Sequence, residues 1–359
     1  MSFSPLRSRL NKLKIEEISV YPDSPAPALP KKMEQRLDAV ADDVRTARKS
    51  GNPVVLAFGA HTIKNGMGPL LSAFIHRGWL THLATNGAGV IHDWEFAYLG
   101  QSSEDVARNV SRGCFGTWEE TGLCINLALA AGAYEGRGYG EAIGYMIHSE
   151  GLNIPSSEEL EAVLIDRKQP LWKRGAAADY LELIREEKLP SRRLEILHPF
   201  ARFSIQAAAL RSGVPFTSHP MFGHDIIYTH RANRGAAVGR CAERDFLSFV
   251  ASVAELDGGV YLSLGSAVMS PMIFEKSLSM ARNVSLSHGA DIRTCSIHVV
   301  DLQPESWDWS RGEPSVDNPA YYLRFMKTFS RMGCPVDYTS MDNRAFLLHL
   351  YKRLEALDV

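Results

Sequence analysis

The chain has 359 residues, 45% of them hydrophobic and 22% charged, with a formal net charge of −2. That balance belongs to a globular protein with a sizeable core, and it gives no reason to expect a nucleic acid or an anionic membrane as partner. No apolar run reaches bilayer length, and the basic start MSFSPLRSRLNKLKIEEI lacks the apolar stretch of a secretory leader. Five cysteines without a CxxC pair read as reduced thiols of a cytoplasmic protein.

Residues 1–34 include the proline-rich SVYPDSPAPALPKK and read as an extended arm. Leu37, Val40 and Val44 then recur at helical spacing between Met33 and Ser50, and Gly51-Asn52-Pro53 is the stop. Next come an apolar run Val54–Phe58, an amphipathic stretch Met67–Arg77 and a second apolar run Thr81–Thr85. This is strand, helix, strand, with GAHTIKNG (59–66) and ATNGAGVIHD (84–93) at the strand exits. In a parallel sheet both loops face the crevice beyond the carboxyl ends of the strands.

Farther along, Asp93–Gly100 reads as a short helix or turn, 112–123 as an irregular loop and Ile125–Tyr134 as a tightly packed helix. GRGYGEAIG (136–144) has the letters of a dinucleotide loop only loosely and follows no strand, so turn or close helix packing is the better reading. A charged helical stretch fills 151–195, and a strand falls at Val214–Ser218. The run HPMFGHDIIYTHRANRGAAVG (219–239) is dense in His, Asp and Gly. A helix at Arg244–Ala254 and a strand at Gly258–Leu264 follow, the strand ending in Gly265-Ser266-Ala267. The last elements are a helix Pro271–Arg282, a strand Ser296–Leu302, a helix Pro319–Arg331, an extended piece Pro335–Tyr338 and a helix from Asn343 to Leu357. Alternation of strands and helices from residue 54 onward predicts a Rossmann-like, doubly wound parallel α/β sheet, in one domain over 35–359.

The histidines His219, His224 and His230 are spaced by five and six, which matches no helical ligand pair, so no metal is expected. No GxGxxG follows the first strand and no GxSxG elbow occurs, against an ordinary dinucleotide dehydrogenase or a serine hydrolase.

Several of these segments resemble the deoxyhypusine synthase family. GAHTIKNG and ATNGAGVIHD stand where that family has TSNLISSG and TTAGGVEED, at the same separation. VPFTSHPMFGHDIIYTHRAN (214–233) and GGVYLSLGSAVMSP (258–271) are similar to its Gly-Asp segment and its glycine-rich strand exit. The resemblance implies a deoxyhypusine synthase-like fold, an NAD cofactor, an amine substrate and a homotetramer. It implies cofactor contacts at His61, Lys64, Thr85, Asn86, Gly87, Ala88 and Gly89, with Gly265 and Ser266 on the other wall. Asp225 or His224 would orient or deprotonate the substrate, His92 is a second acid–base candidate, and Asp245 and Asp308 are candidate substrate contacts.

The departures are specific. His61 and Lys64 replace Asn and Ser, and Ile91-His92 replaces two glutamates. Ser270-Pro271 falls at the family's active-site histidine. SVDNPAYYLRFMKTF (315–329) lacks the Trp-Gly-Lys run, with Arg324 near the nucleophile's position and Lys327 a helical turn away. Arginine is too basic to form an imine at neutral pH. The expectation is therefore an NAD-dependent transferase or oxidoreductase acting on a small amine or related metabolite, not deoxyhypusine synthesis itself. The alternative is a non-catalytic nucleotide- or metabolite-binding protein on the same fold.

Overall fold

The computed structural model describes residues 1–289 and 291–357. Its strands are β1 (Asn11–Lys14), β2 (Val54–Phe58), β3 (His82–Thr85), β4 (Gln101–Glu104), β5 (Gly151–Asn153), β6 (Arg193–Glu195), β7 (Phe216–Ser218), β8 (Val260–Leu264), β9 (Ser296–Asp301) and β10 (Val336–Ser340). The chain divides into two compact units, Met1–Ile18 with Gly87–Asp245 and Ser19–Asn86 with Phe246–Val359.

The second unit holds a Rossmann-like α/β sheet whose parallel strands run β10-β9-β8-β2-β3. Every residue of β2, β3 and β8 is buried, which is why these strands read as unbroken apolar runs and not as alternating ones. Phe58 pairs with both Thr85 and Leu264, and Leu264 with Val300, so the carboxyl ends lie flush. Aromatic packing holds the helices Met269–Ser287 and Arg324–Ser330 to this sheet: Tyr261 stacks on Phe274 with ring centroids 4.0 Å apart, and Phe329 lies beside both. Among the described residues no helix is long and apolar enough to cross a membrane.

The first unit is mainly helical, with two antiparallel pairs, β1–β4 and β5–β6. Part of the stretch read as an extended arm is thus a strand in this unit, and Ile15–Ile18 is a helical turn. Its helices approach closely through glycines. A Cβ on Gly132 would lie 2.5 Å from that of Ala142, and one on Gly144 would lie 2.9 Å from the Gln206 carbonyl. Small residues at such crossings let backbones meet without a void.

Three local expectations need correction. The loop at 84–93 and the turn at 93–100 are one helix, Gly87–Leu99. It is buried on most sides, so it lacks the amphipathic period that would have revealed it. The irregular loop expected over 112–123 is already helical from Glu119, in the helix Glu119–Glu135. Finally, the thiols are not all free: Cys295 and Cys334 form a disulfide, while Cys114, Cys124 and Cys241 do not pair.

Candidate functional site

In the second unit the chemistry collects where the carboxyl ends of β2, β8, β9 and β10 meet. Gly59 follows β2, and its N–H donates to the Leu264 carbonyl at 3.0 Å. A Cβ there would sit 2.1 Å from the Gly265 carbonyl oxygen, so only glycine fits. Gly265 itself has φ +53° and donates to the Val300 carbonyl. A cavity of about 230 Å³ opens beside these turns, lined by His61, Asn65, Gly265, Asp301, Asp342 and Asn343 among others. Asn65 donates to Asn343 at 2.9 Å, and Asn343 to the Thr62 hydroxyl at 3.1 Å, which fixes both amides. His61 stands exposed at the rim; partial desolvation, then the charge of Lys64, holds its imidazole below the usual range.

Some expected contacts already have work within the fold. Thr85 donates its hydroxyl to the Phe58 carbonyl at 2.9 Å, tying β3 to β2. The Ser266 hydroxyl accepts the Ser270 N–H at the start of the next helix. Lys64 and Ala88 are half-buried, and neither is among the residues lining the cavity. Asp308 is exposed and caps the short helix Trp309–Arg311 through Ser310, outside any cavity lining described for this unit.

In the first unit two buried aspartates face glycines. Asp225 follows β7, and a Cβ on Gly87 would lie 2.2 Å from its Oδ2, so the carboxyl rests on the first turn of the helix Gly87–Leu99. Tyr228 donates to Oδ2 at 3.2 Å. Burial pushes Asp225 up to about 6, against the opposing effects of that phenol and of His224. The Tyr139 hydroxyl is fully buried with no hydrogen-bond partner among the described residues, in the field of both Asp225 and Asp245. His224 is exposed.

Asp245 is the more deeply held. Its Oδ2 accepts the N–H of Ser218 at 2.6 Å and of Gly140 at 2.9 Å, while a Cβ on Gly138 would overlap Oδ1. Burial pushes it up to about 8 despite those amides. The glycine-rich GRGYG is therefore the seat of this carboxyl and the start of the helix Tyr139–His148. Asp245, expected as a substrate contact, joins that helix to β7.

His92 lies on the helix Gly87–Leu99, its Nδ1 2.7 Å from the Ser102 hydroxyl. Ser102 donates to Glu95 at 2.5 Å, and Glu95 pairs with Arg9 and accepts from Thr121. Burial alone would raise Glu95; the Arg9 charge overcomes it and holds the carboxyl below its usual range. Asp93 accepts from Ser204, from the backbone of Ile205 and from Gln206. Sequence reading missed Asp93 and Glu95 as anchors; the signal was two acids in an otherwise apolar IHDWEFAYL. Of the histidines, His219 meets Thr217 at 3.1 Å and His230 accepts from the Ala232 N–H. Among the described residues no group of three or more His, Cys, Asp or Glu could hold a metal ion.

Lys327 lies over the Tyr321 ring and 3.2 Å from Glu313, contacts that raise its pKa and so work against a nucleophilic amine.

No protein-family model matches the chain, and no curated protein does. Solved structures that resemble it include AgrE in ternary complex with ornithine and NAD+, at 14% identity and a TM-score of 0.46, over 92% of this chain and 34% of that one. Another is a putative LOR/SDH protein from Methanococcus maripaludis S2, at 13% identity and 0.45, over 95% and 74%. A third is ArgZ, an arginine dihydrolase of the ornithine–ammonia cycle in Cyanobacteria, at 13% and 0.43, over 91% and 32%. The chain thus spans about a third of the length of AgrE. The structures named here are not deoxyhypusine synthases.

Proposed function

We propose that the protein is an enzyme that binds NAD and acts on a small amine or related metabolite, with Asp225 as its acid–base group. The observation that carries the reading is the Asp225 carboxyl, buried, raised to about 6 and bonded to Tyr228. A group with its pKa near neutrality can both take and return a proton in one cycle. Burial against apolar and phenolic neighbours is the ordinary way to make such a carboxyl.

Dinucleotide binding is argued from position. The turns at Gly59 and Gly265 lie beyond carboxyl ends of parallel strands, where open α/β sheets take their ligands. Asp301 and the amides of Asn65 and Asn343 offer hydrogen bonds to ribose hydroxyls. NAD, when bound, would supply the hydride acceptor. The first turn of the helix Gly87–Leu99 suits a phosphate less well, because the Asp225 carboxyl already rests there. A nucleophilic lysine has no part in this reading, so imine-based transfer to the enzyme is dropped from it. Homo-oligomer formation belongs to the proposal on the resemblance alone, and a cytoplasmic setting on the reading of the cysteines as thiols, two of which are paired.

Titration of NAD into the purified protein, followed by melting temperature, tests the reading. The expected result is a rise that saturates with NAD and survives in Asp225→Asn, together with amine-dependent NADH formation lost in that variant. A flat melting temperature at millimolar NAD overturns it. NAD binding without turnover, unaffected by Asp225→Asn, would favour the non-catalytic alternative, on which the altered loops and absent lysine run bear directly.

A further inference from the structure

The second unit has another cavity, of about 500 Å³, at the amino ends of β9 and β10, sharing no lining residue with the one at the carboxyl ends. Cys334 lines it, and the disulfide partner Cys295 precedes β9. The two sulfurs differ in access. Cys295 is fully buried, whereas Cys334 retains 9% of its surface. They differ in electrostatics too: the Arg282 guanidinium stands 3.7 Å from the Cys334 sulfur, held there by the carbonyls of Ile292 and Met332. Two carboxylates, Asp43 and Asp337, also line the cavity, Asp43 paired with His298 at 2.9 Å.

We propose that Cys334 is a thiol–disulfide exchange site served by this cavity, taking small neutral or cationic thiols. A disulfide is cleaved by a thiolate at whichever sulfur it can reach, and here access to the cavity selects Cys334. The Arg282 guanidinium acts in the second step, where it stabilises Cys334 as the departing thiolate. The incoming thiolate bonds to the Cys334 sulfur, the bond to Cys295 breaks, and its electron pair leaves on the Cys295 sulfur, which takes a proton from water. A second thiolate attacks the mixed disulfide, forming the small-molecule disulfide and releasing Cys334 as a thiolate beside Arg282. The protein disulfide is reduced to two thiols and the two small thiols are oxidised to one disulfide. Asp43 and Asp337, which line the cavity, disfavour thiols that carry a further negative charge.

The test uses the folded full chain, treated with cysteamine or with mercaptoacetate at equal thiolate concentration, quenched with acid and mapped by mass spectrometry. The expected adduct is on Cys334, with cysteamine reacting several-fold faster than mercaptoacetate and Arg282→Lys retaining the adduct at that sulfur. Adducts on Cys295, equal or reversed rates, or a disulfide that yields only after denaturation would each overturn the proposal. So would an intact mass showing two free thiols here in protein kept under air. Because Cys295→Ser tests the same sulfur without a disulfide to break, alkylation of its lone Cys334 by iodoacetamide faster than that of Cys241 supports the access argument, and the reverse order refutes it.

Discussion

Asp225 and Asp245 lie twenty residues apart in the same unit, both buried, both pressed against glycines and both raised above the usual carboxylate range. Their partners differ. Asp245 is gripped by two backbone amides that belong to separate elements, whereas Asp225 meets a phenol that burial and the Asp225 charge keep protonated, a hydrogen-bond donor on a side chain free to turn. Backbone amides cannot move without moving the fold, so the first carboxyl is a fastener. Asp225 is held by one side chain and by the backbone of Met221, in the exposed turn just before it, with exposed His224 between them, so it can change charge at a smaller structural cost. A raised pKa alone therefore does not mark a reactive group; the identity of its hydrogen-bond donors decides.

The largest effect should come from Asp245→Ala. It strands the N–H groups of Ser218 and Gly140 in the interior, and a lost buried partner costs about 1–3 kcal/mol per group. Urea unfolding should show a loss of about 3 kcal/mol or more, and a loss under 1 kcal/mol would break the distinction between the two aspartates. The pH dependence has a defined sign. Asp245 is raised in the folded state, so the folded chain binds the extra proton, and its contribution is fully present below the unfolded pKa near 3.8 and lost as pH rises through about 8. Asp245→Asn should flatten the decline in stability between pH 4 and 8, whose slope from one proton is at most about 1.4 kcal/mol per pH unit.

Next in size is Gly87→Ala. The new methyl would sit 2.2 Å from the Asp225 carboxyl and the helix backbone cannot yield, so the carboxyl must move. A destabilisation of about 1–3 kcal/mol is expected from the forced shift. In a carbon-13 carboxyl titration the Asp225 midpoint should leave the region of pH 6. An unchanged midpoint would mean that the glycine does not set the carboxyl's position.

Much of this architecture was legible in the sequence. The strands β2, β3, β8 and β9 announced themselves as short apolar runs, because both faces of a parallel sheet are covered. The helix Gly87–Leu99 did not. It starts with glycines and is surrounded by protein, so neither propensity nor period marks it. The candidate site was half legible. Asp225 was picked from a strand exit followed by a glycine turn, and that chemistry survives as the basis of the functional proposal. Asp245 was a candidate on the family resemblance alone, and it binds amides of its own chain. Only tertiary contacts separate those cases, since the donors to Asp245 come from residues 140 and 218. Asp93 and Glu95 were overlooked for the converse reason: their partners Arg9, Ser204 and Gln206 lie 86 to 113 positions away.

Replacing Asp225 with Asn should cost little stability, since the isosteric amide keeps the Tyr228 contact; a thermal shift within about 1 kcal/mol of the parent is expected. What should go is the proton step, worth typically about 100- to 10,000-fold in rate where a general acid–base group is removed. Loss of fold in this variant, matching that of Asp245→Ala, would put both aspartates in one class.

The smallest effect, and the sharpest, is expected from Tyr228→Phe. The Tyr228 hydroxyl donates to the ionised form of Asp225 and so lowers a pKa that burial has raised. Deleting that oxygen should move the carboxyl midpoint upward from about 6, by roughly one unit if the bond contributes a typical charge-assisted donor's share. Because Asp225 already has a folded pKa above its unfolded one, the variant should extend to higher pH the window over which its protonation favours the folded state. A downward shift would mean that the phenol acts mainly by excluding water from the carboxyl, and the hydrogen bond would then not be what tunes it.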